Sequence, residues 1–174
     1  MTPRYASEDG ESRWLLKALR EAAHELESQL WGLDEDDLRW RPADDAWSLK
    51  EIAAHLRDCE EHLLQSLEAI AFDDCPRLPA FDADALVLEQ DYREIDLYEA
   101  LERFEELRHS TVSLLWGLAP EDWERTGDHP YRGPVSVLQL TREQSEHDLE
   151  HLWQARRLRE TLGGLAERAP SSRR

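Results

Sequence analysis

Apolar residues recur every three or four positions through four long stretches of the chain, the spacing of a helix with one face turned inward. From Ser12 to Leu33 the stripe is Leu15, Leu19, Ala22, Leu26, Leu30 and Leu33. A second stripe, Leu49, Ile52, Ala53, Leu56, Cys59, Leu63, Leu67 and Ile70, follows the segment WSLKE. There Ser48 and Glu51 have the spacing of a capping box. A third helix is expected from Asp96, with Glu99 in its first turn, to Leu118. A fourth is expected from Ser136, with Gln139 completing a second box, to Leu162. Between helices two and three lies AFDDCPRLPAFDADALVLEQDYRE, whose prolines rule out a continuous helix. No segment alternates as a strand would. The pattern predicts an all-α protein: a four-helix bundle with a long crossover between helices two and three, spanning residues 12–162. Residues 1–11 and 163–174 lack periodicity and are expected to be flexible.

The pattern also repeats. SQLWGLDEDDL, from Ser28, matches SLLWGLAPEDW, from Ser113, at an offset of 85 residues. The boxes at Ser48 and Ser136 repeat at an offset of 88. Two helix–connection–helix halves follow, each burying its stripe against the other.

Composition narrows the function. A length of 174 residues suits one domain with a substantial core. With 39 acidic and 21 basic side chains the net charge is −18, which repels phosphate backbones and argues against nucleic acid as a partner. The opening MTPRYASEDGESR has no apolar core of a secretion signal, and no run approaches membrane-spanning length. The expected address is the cytoplasm, with no membrane partner. Cys59 and Cys75 do not make a disulfide framework and are expected as reduced thiols. Seven tryptophans suggest several large apolar anchors.

The chemistry concentrates in SEHDLEHLWQ, residues 145–154. At helical spacing His147 and His151 fall inside the inward cluster of Val137, Leu140, Ala155, Leu158 and Leu162, one turn apart. Literally the motif is H-x-x-E-H, a peptidase pattern. Glu150, however, turns toward Glu143 and Glu146, and only 23 residues follow His151. That is too little chain for the downstream glutamate ligand. The pair alone could equally be core histidines bonded to neighbours. His55, on the border of the second stripe, offers a third imidazole. At the offset of 88 His55 corresponds to Glu143, and His147 and His151 to Cys59 and Leu63, so the constellation is not duplicated. Three histidines with one position open are the pattern of a reactive metal site.

Other candidates are weaker. Cys59 could add a thiolate, but a plain buried cysteine is the commoner case. His62 shares the side of His55 further along the axis. His24 and His109 read as surface residues, and His129 as a loop histidine that could border a substrate mouth. Asp58 and Asp148 could accept from imidazole N–H groups, although exposed acids are the commoner explanation. Leu138, Leu149 and Trp153 form a second apolar patch suited to an interface or to extra packing.

Three blocks carry a family resemblance: LWGLDEDDLRWRPADDAWSLKEIAAHLRDCE, LPAFDADALVLEQDY and GDHPYRGPVSVLQLTREQSEHDLEHLWQARRLRE. In this order and spacing they resemble the DinB-like proteins (the DinB/YfiT superfamily) over residues 12–162. The resemblance implies a four-helix bundle with a long crossover and a divalent metal held by three histidines. The matching positions are His55, His147 and His151, all intact. Many members have a further histidine where this chain has Glu143. The resemblance also implies a range of activities. Some relatives are transferases or isomerases that use a low-molecular-weight thiol, others are metal-dependent hydrolases, and homodimers are frequent. The expectation is a metal-dependent enzyme acting on a small-molecule substrate, with thiol-dependent S-transfer preferred over hydrolysis. A non-catalytic, metal-binding or dimerising, stress-associated bundle is the competing reading. The ligand type admits zinc, nickel, iron or manganese, with zinc or nickel foremost.

Overall fold

Each apolar stripe forms a helix in the computed structural model, which describes residues 10–82, 85–86 and 90–168. In chain order the helices are α1 (Gly10–Leu30), a short α2 (Glu35–Arg39), α3 (Leu49–Phe72), α4 (Leu97–Gly117) and α5 (Val137–Arg168). None of them is long and apolar enough to cross a membrane. Helix α1 stops at Leu30 rather than Leu33, because Gly32 adopts a left-handed φ of 79° and Asp34 then caps α2. Helix α5 runs past Leu162 to Arg168, since each residue added to an existing helix gains a backbone bond without needing tertiary contact. Of the residues expected to be flexible, 10–11 and 163–168 are helical, and 1–9 and 169–174 lie outside the described residues. So do 83–84 and 87–89 of the crossover.

The caps differ in completeness. At Ser48 both arms of the box form: Glu51 N–H donates to Ser48 Oγ, and Ser48 N–H donates to Glu51 Oε2 at 2.9 Å. Glu51 also binds the Arg41 guanidinium. At Ser136 only one arm forms, with Gln139 N–H donating to Ser136 Oγ at 3.2 Å, while the Gln139 amide turns to Glu143. Asp96 accepts from Tyr98 and Glu99 N–H at the start of α4. The carbonyls at the end of α1 are covered from α5, where Arg159 donates to those of Ser28, Gln29 and Trp31.

Helix α3 packs mainly on α4 and α5, and α1 on the same two. The two helices of each half therefore lie across the diagonal of the bundle. Two apolar layers fill it. One contains Leu26, Ile52, Leu56, Phe104, Leu152 and Leu158, and the other Leu15, Leu19, Leu67, Ile70, Leu115 and Trp123. Between them runs a belt of buried polar residues: Glu60, Arg108, Thr111, Gln144 and Asp148.

Two strands contradict the strand-free expectation. β1 (Thr126–His129) and β2 (Gly133–Ser136) pair antiparallel just before α5. Each is four residues long and interrupted by glycine or proline, so no alternation could build up. The hairpin is held by the crossover: Asp128 N–H donates to Pro76 O at 2.7 Å, and Leu78 N–H to Asp128 O at 3.0 Å. Gly127 lies so close that a Cβ there would stand 2.6 Å from Leu78 Cδ2.

The repeated segments occupy matching places. Trp31 and Trp116 are both exposed, and Leu38 and Trp123, 85 residues apart, are both buried. Of the seven tryptophans Trp123 is buried and Trp40 and Trp47 pack half-buried against the first layer, whereas Trp14, Trp31, Trp116 and Trp153 are exposed. Leu149 and Trp153 are exposed as the apolar-patch reading requires, but Leu138 packs against the second layer instead.

Candidate metal centre

Three imidazoles meet where α3 and α5 face each other. His147 Nε2 lies 3.0 Å from His55 Nε2 and 3.2 Å from His151 Nε2. The ring centroids are 4.5–5.0 Å apart. Trp47, the residue before the Ser48 cap, stacks parallel on His151 at 5.7 Å and meets His55 edge-on at 4.8 Å. The complete cap thus fixes the start of α3 and, with it, the indole that orients two of the three rings. Sequence reasoning missed Trp47; its signal was its place beside the box.

The rings are held neutral. Burial, reinforced by the other two imidazoles, lowers the His55 pKa to about 3. Burial and His151 lower that of His147, and burial lowers that of His151. His151 Nδ1 donates to the Gln154 side-chain carbonyl at 3.0 Å, which leaves its Nε2 as a lone pair. His147 Nδ1 is buried without a partner. The Nε2 atoms of His55 and His151 thus both lie beside that of His147, and neutral imidazole is the form that binds metals.

The residues fit an ion. A tetrahedral site with metal–nitrogen bonds of about 2.0–2.1 Å separates its nitrogens by about 3.3 Å, close to the 3.0 and 3.2 Å found. Cys59 is a rival donor, since its ligand atom and those of His55 and His147 all lie within 4.8 Å of one another. Its Sγ is 3.5 Å from His55 Nε2 and 3.8 Å from Nδ1. Near-equal distances to the two nitrogens place the sulfur away from the direction of the Nε2 lone pair. Burial, then Asp148, Asp58 and Glu60, push its thiol pKa up. Cys59 and Cys75 are both free.

A cavity of about 280 Å³ opens beside His55 and His147. Leu63 and Leu140 give it apolar surface, and His62, stacked on Phe81 at 4.4 Å, forms one wall. Burial and the neighbouring His129 lower the His62 pKa to about 4. His129 ends β1 and borders the cavity, as a mouth residue should. Arg132, from the hairpin turn, binds both oxygens of Glu143 at 2.9–3.0 Å across the rim. Glu150 is exposed, His24 and His109 are exposed, and none of the three lines this cavity. A larger groove, about 950 Å³, lies elsewhere, lined by Trp14, Ala18, Leu149 and Leu152.

The expectation of exposed acids fails for Asp58 and Asp148. Asp58 is buried and accepts from Tyr92 Oη at 2.6 Å and from Arg57 at 2.7 Å. Asp148 is buried and accepts from Arg108 at 2.6 Å and from the Gln144 amide at 2.9 Å. Their charges are affordable in the interior because each is paired. Neither acid bonds to a site histidine among the described contacts. Arg108 also donates to Leu19 O, pairs with Glu60 at 2.8 Å and lies 4.9 Å from the Phe104 ring centroid. It joins all four long helices behind the site.

A helical bundle with three convergent imidazoles beside a small cavity is the class this geometry defines. The sequence matches the DinB superfamily over residues 18–155, and the chain belongs to that superfamily. It is 22% identical over 137 residues, 79% of each chain, to an Oceanobacillus iheyensis protein named "Putative metal-dependent hydrolase". Its fold is similar to that of YfiT from Bacillus subtilis, with a TM-score of 0.80, 18% identity and 87% of each chain covered. That structure is described as "a probable metal-dependent hydrolase with an unusual four-helix bundle topology".

Proposed function

We propose that this protein is a metal-dependent enzyme whose ion is held by His55, His147 and His151, and that its reaction is hydrolysis of a small substrate. The observation that carries the reading is the convergence of three neutral imidazoles at 3.0 and 3.2 Å beside a cavity. A divalent ion bound by neutral ligands keeps its full charge and supplies Lewis acidity and an activated nucleophile near neutral pH.

The chain's own residues do the rest. Trp47 and Gln154 hold the rings in place. Leu63, Leu140 and Phe81 exclude water from one side of the substrate, and Arg132 and Glu143 mark its polar rim. His62 stays neutral at pH 7, with its pKa near 4, so it offers a hydrogen-bonding wall there and no positive charge. The similarity to two proteins described as metal-dependent hydrolases supports hydrolysis. The cavity of about 280 Å³ beside His55 and His147 gives such a substrate a place to bind. S-transfer from a low-molecular-weight thiol requires two organic reactants in the same space, and it stands as the alternative.

The test is metal analysis of the purified protein beside a His147→Ala/His151→Ala variant, followed by ester, amide and thiol–electrophile panels on the loaded enzyme. Stoichiometric zinc or nickel in the wild type only, with turnover in the hydrolytic panel, is expected. Equal metal content in both proteins overturns the metal reading. Turnover only with an added thiol replaces hydrolysis by S-transfer. The exposed Trp14 and Leu149 support a compatible second reading, that the groove between α1 and α5 joins two copies of the chain. Sedimentation that stays monomeric at all concentrations overturns it.

A further inference from the structure

The cavity beside the histidines is long in one direction. His55 and Ser66 both line it and stand eleven residues apart on α3, about 16 Å along the helix axis. A molecule held at His55 and His147 therefore has room for a second group away from them. Three side chains reach the cavity from outside α3 and α5: Phe81 from the crossover, and His129 and Arg132 from the hairpin.

Hydrogen-bonding capacity along this course is unused, and most of it donates. Arg132 gives only Nη1 to Glu143, at 3.0 and 2.9 Å from its two oxygens. Arg132 Nε and Nη2 have no partner among the described residues, and two neighbouring guanidinium nitrogens are the edge that pairs with a carboxylate side-on. His129 Nδ1 accepts from Tyr131 N–H at 3.2 Å, so Nε2 carries the ring proton. Ser66 Oγ is buried without a partner, and an unmet buried hydroxyl is costly until a ligand reaches it. Among the described residues Glu143 is the one carboxylate lining the cavity, and it already accepts from Arg132 and from the Gln139 amide. A ligand that brings acceptors fits this set of groups.

Charge narrows the choice of acceptor. The chain as a whole carries −18 and repels anions. A local cation reverses that, and Arg132 is the one arginine or lysine lining the cavity among the described residues. Its single charge, already opposed by Glu143, matches a monoanion better than a phosphate dianion.

We infer that the substrate of this site carries a carboxylate, bound at the free edge of Arg132, with an apolar body against Leu63 and Leu140 and its reactive group at the histidines. His129 and Ser66 supply further donors along the same cavity. The inference rests on reading this cavity as the substrate site, and it names the substrate class: small monocarboxylates. Arg132 is then a specificity-determining residue that holds the remote group, and Glu143 is its resident partner when no substrate is bound.

Calorimetric titration of full-length protein, stripped of metal with EDTA, compares benzoate with its neutral isostere benzamide. In that preparation neither probe can bind as a metal ligand. Benzoate should bind about tenfold tighter, the low end of what hydrogen bonds to a charged group contribute, because Arg132 is part-exposed. Arg132→Gln should reverse the preference, since the negative chain is then unopposed. Glu143→Gln should raise benzoate affinity about threefold by releasing Arg132 from an exposed ion pair. Four results overturn the inference: no benzoate binding, equal binding of the two probes, tighter binding of benzylamine or phenyl phosphate, or a benzoate preference that survives Arg132→Gln. A zinc titration of the same preparation keeps the two readings apart. Zinc binding without a benzoate preference removes the carboxylate subsite and leaves the metal centre. A benzoate preference without zinc binding leaves the subsite and removes the metal centre.

Discussion

Shifted by 88 residues, the first half of the bundle falls on the second. Ser48 meets Ser136 at the helix starts, Leu49 meets Val137 in the apolar layers, and Glu60 meets Asp148 on the same arginine. The match ends at the site. His55 meets Glu143, which lies on the cavity rim, while His147 and His151 meet Cys59 and Leu63. Both halves therefore turn the same positions toward the middle of the bundle, and only the residue types differ. Leu63 in α3 stays in the apolar layer, and its counterpart His151 in α5 becomes an imidazole of the triad. A three-histidine cluster can thus be built on a repeat without being duplicated, provided the repeat supplies inward places and each half fills them differently.

Making α5 resemble α3 breaks the comparison most severely. His147→Ala with His151→Leu leaves one imidazole and should weaken zinc by at least about a thousandfold in calorimetry. Tight binding retained in that variant would show that Cys59 and His55 hold the ion without α5. The shared scaffold should respond differently. Phe104→Ala, in the apolar layer, should cost about 3–5 kcal/mol in urea unfolding, yet leave zinc stoichiometry in the folded fraction unchanged.

A smaller effect sharpens the difference through pH. His62 has a folded pKa of about 4, below its unfolded value near 6.5, because the fold buries it beside His129. Between those values the unfolded chain binds more protons, so stability falls as pH drops from about 6.5 toward 4. In metal-free protein His62→Phe should flatten that slope by up to about one proton. Parallel urea midpoints for variant and wild type from pH 7 to 5 would show that the imidazole is not perturbed. The caps give the smallest contrast. Ser48→Ala should cost about 1–2 kcal/mol, and Ser136→Ala about 0.5 kcal/mol, because only the first box closes both ways. Equal losses would erase that distinction between the halves.

The long helices are legible in sequence because a 3.6-residue period repeated over many turns leaves little room for accident. The histidines are legible for a related reason: His147 and His151 are one turn apart on an inward face, and His55 lies near the stripe of a neighbouring helix. The hairpin is not legible, because strands of four residues containing Gly127, Gly133 and Pro134 carry no period. The buried acids are hidden more deeply. A stripe read by hydrophobicity assigns Glu60 and Asp148 to the solvent side. Only tertiary pairing with Arg108, 48 and 40 residues away, shows why they can be inside. Trp47 was visible as a residue but not as a wall of the site, since its stacking on His151 joins the segment before α3 to α5, 104 residues further along the chain.

The diagonal placement of each half bears on how the chain reaches its native state. With α1 and α3 facing each other across the bundle, neither half has within itself a neighbour against which to bury its stripe. Most native packing must wait until both halves meet, a long-range topology that slows folding. His55 and His147 are 92 residues apart, so an ion can collect its three imidazoles only after that docking. It would act as a latch fastened last. At a hundredfold excess over its Kd it would add about 2.7 kcal/mol to the native state. That gain should appear as slower unfolding, with the folding rate left almost unchanged.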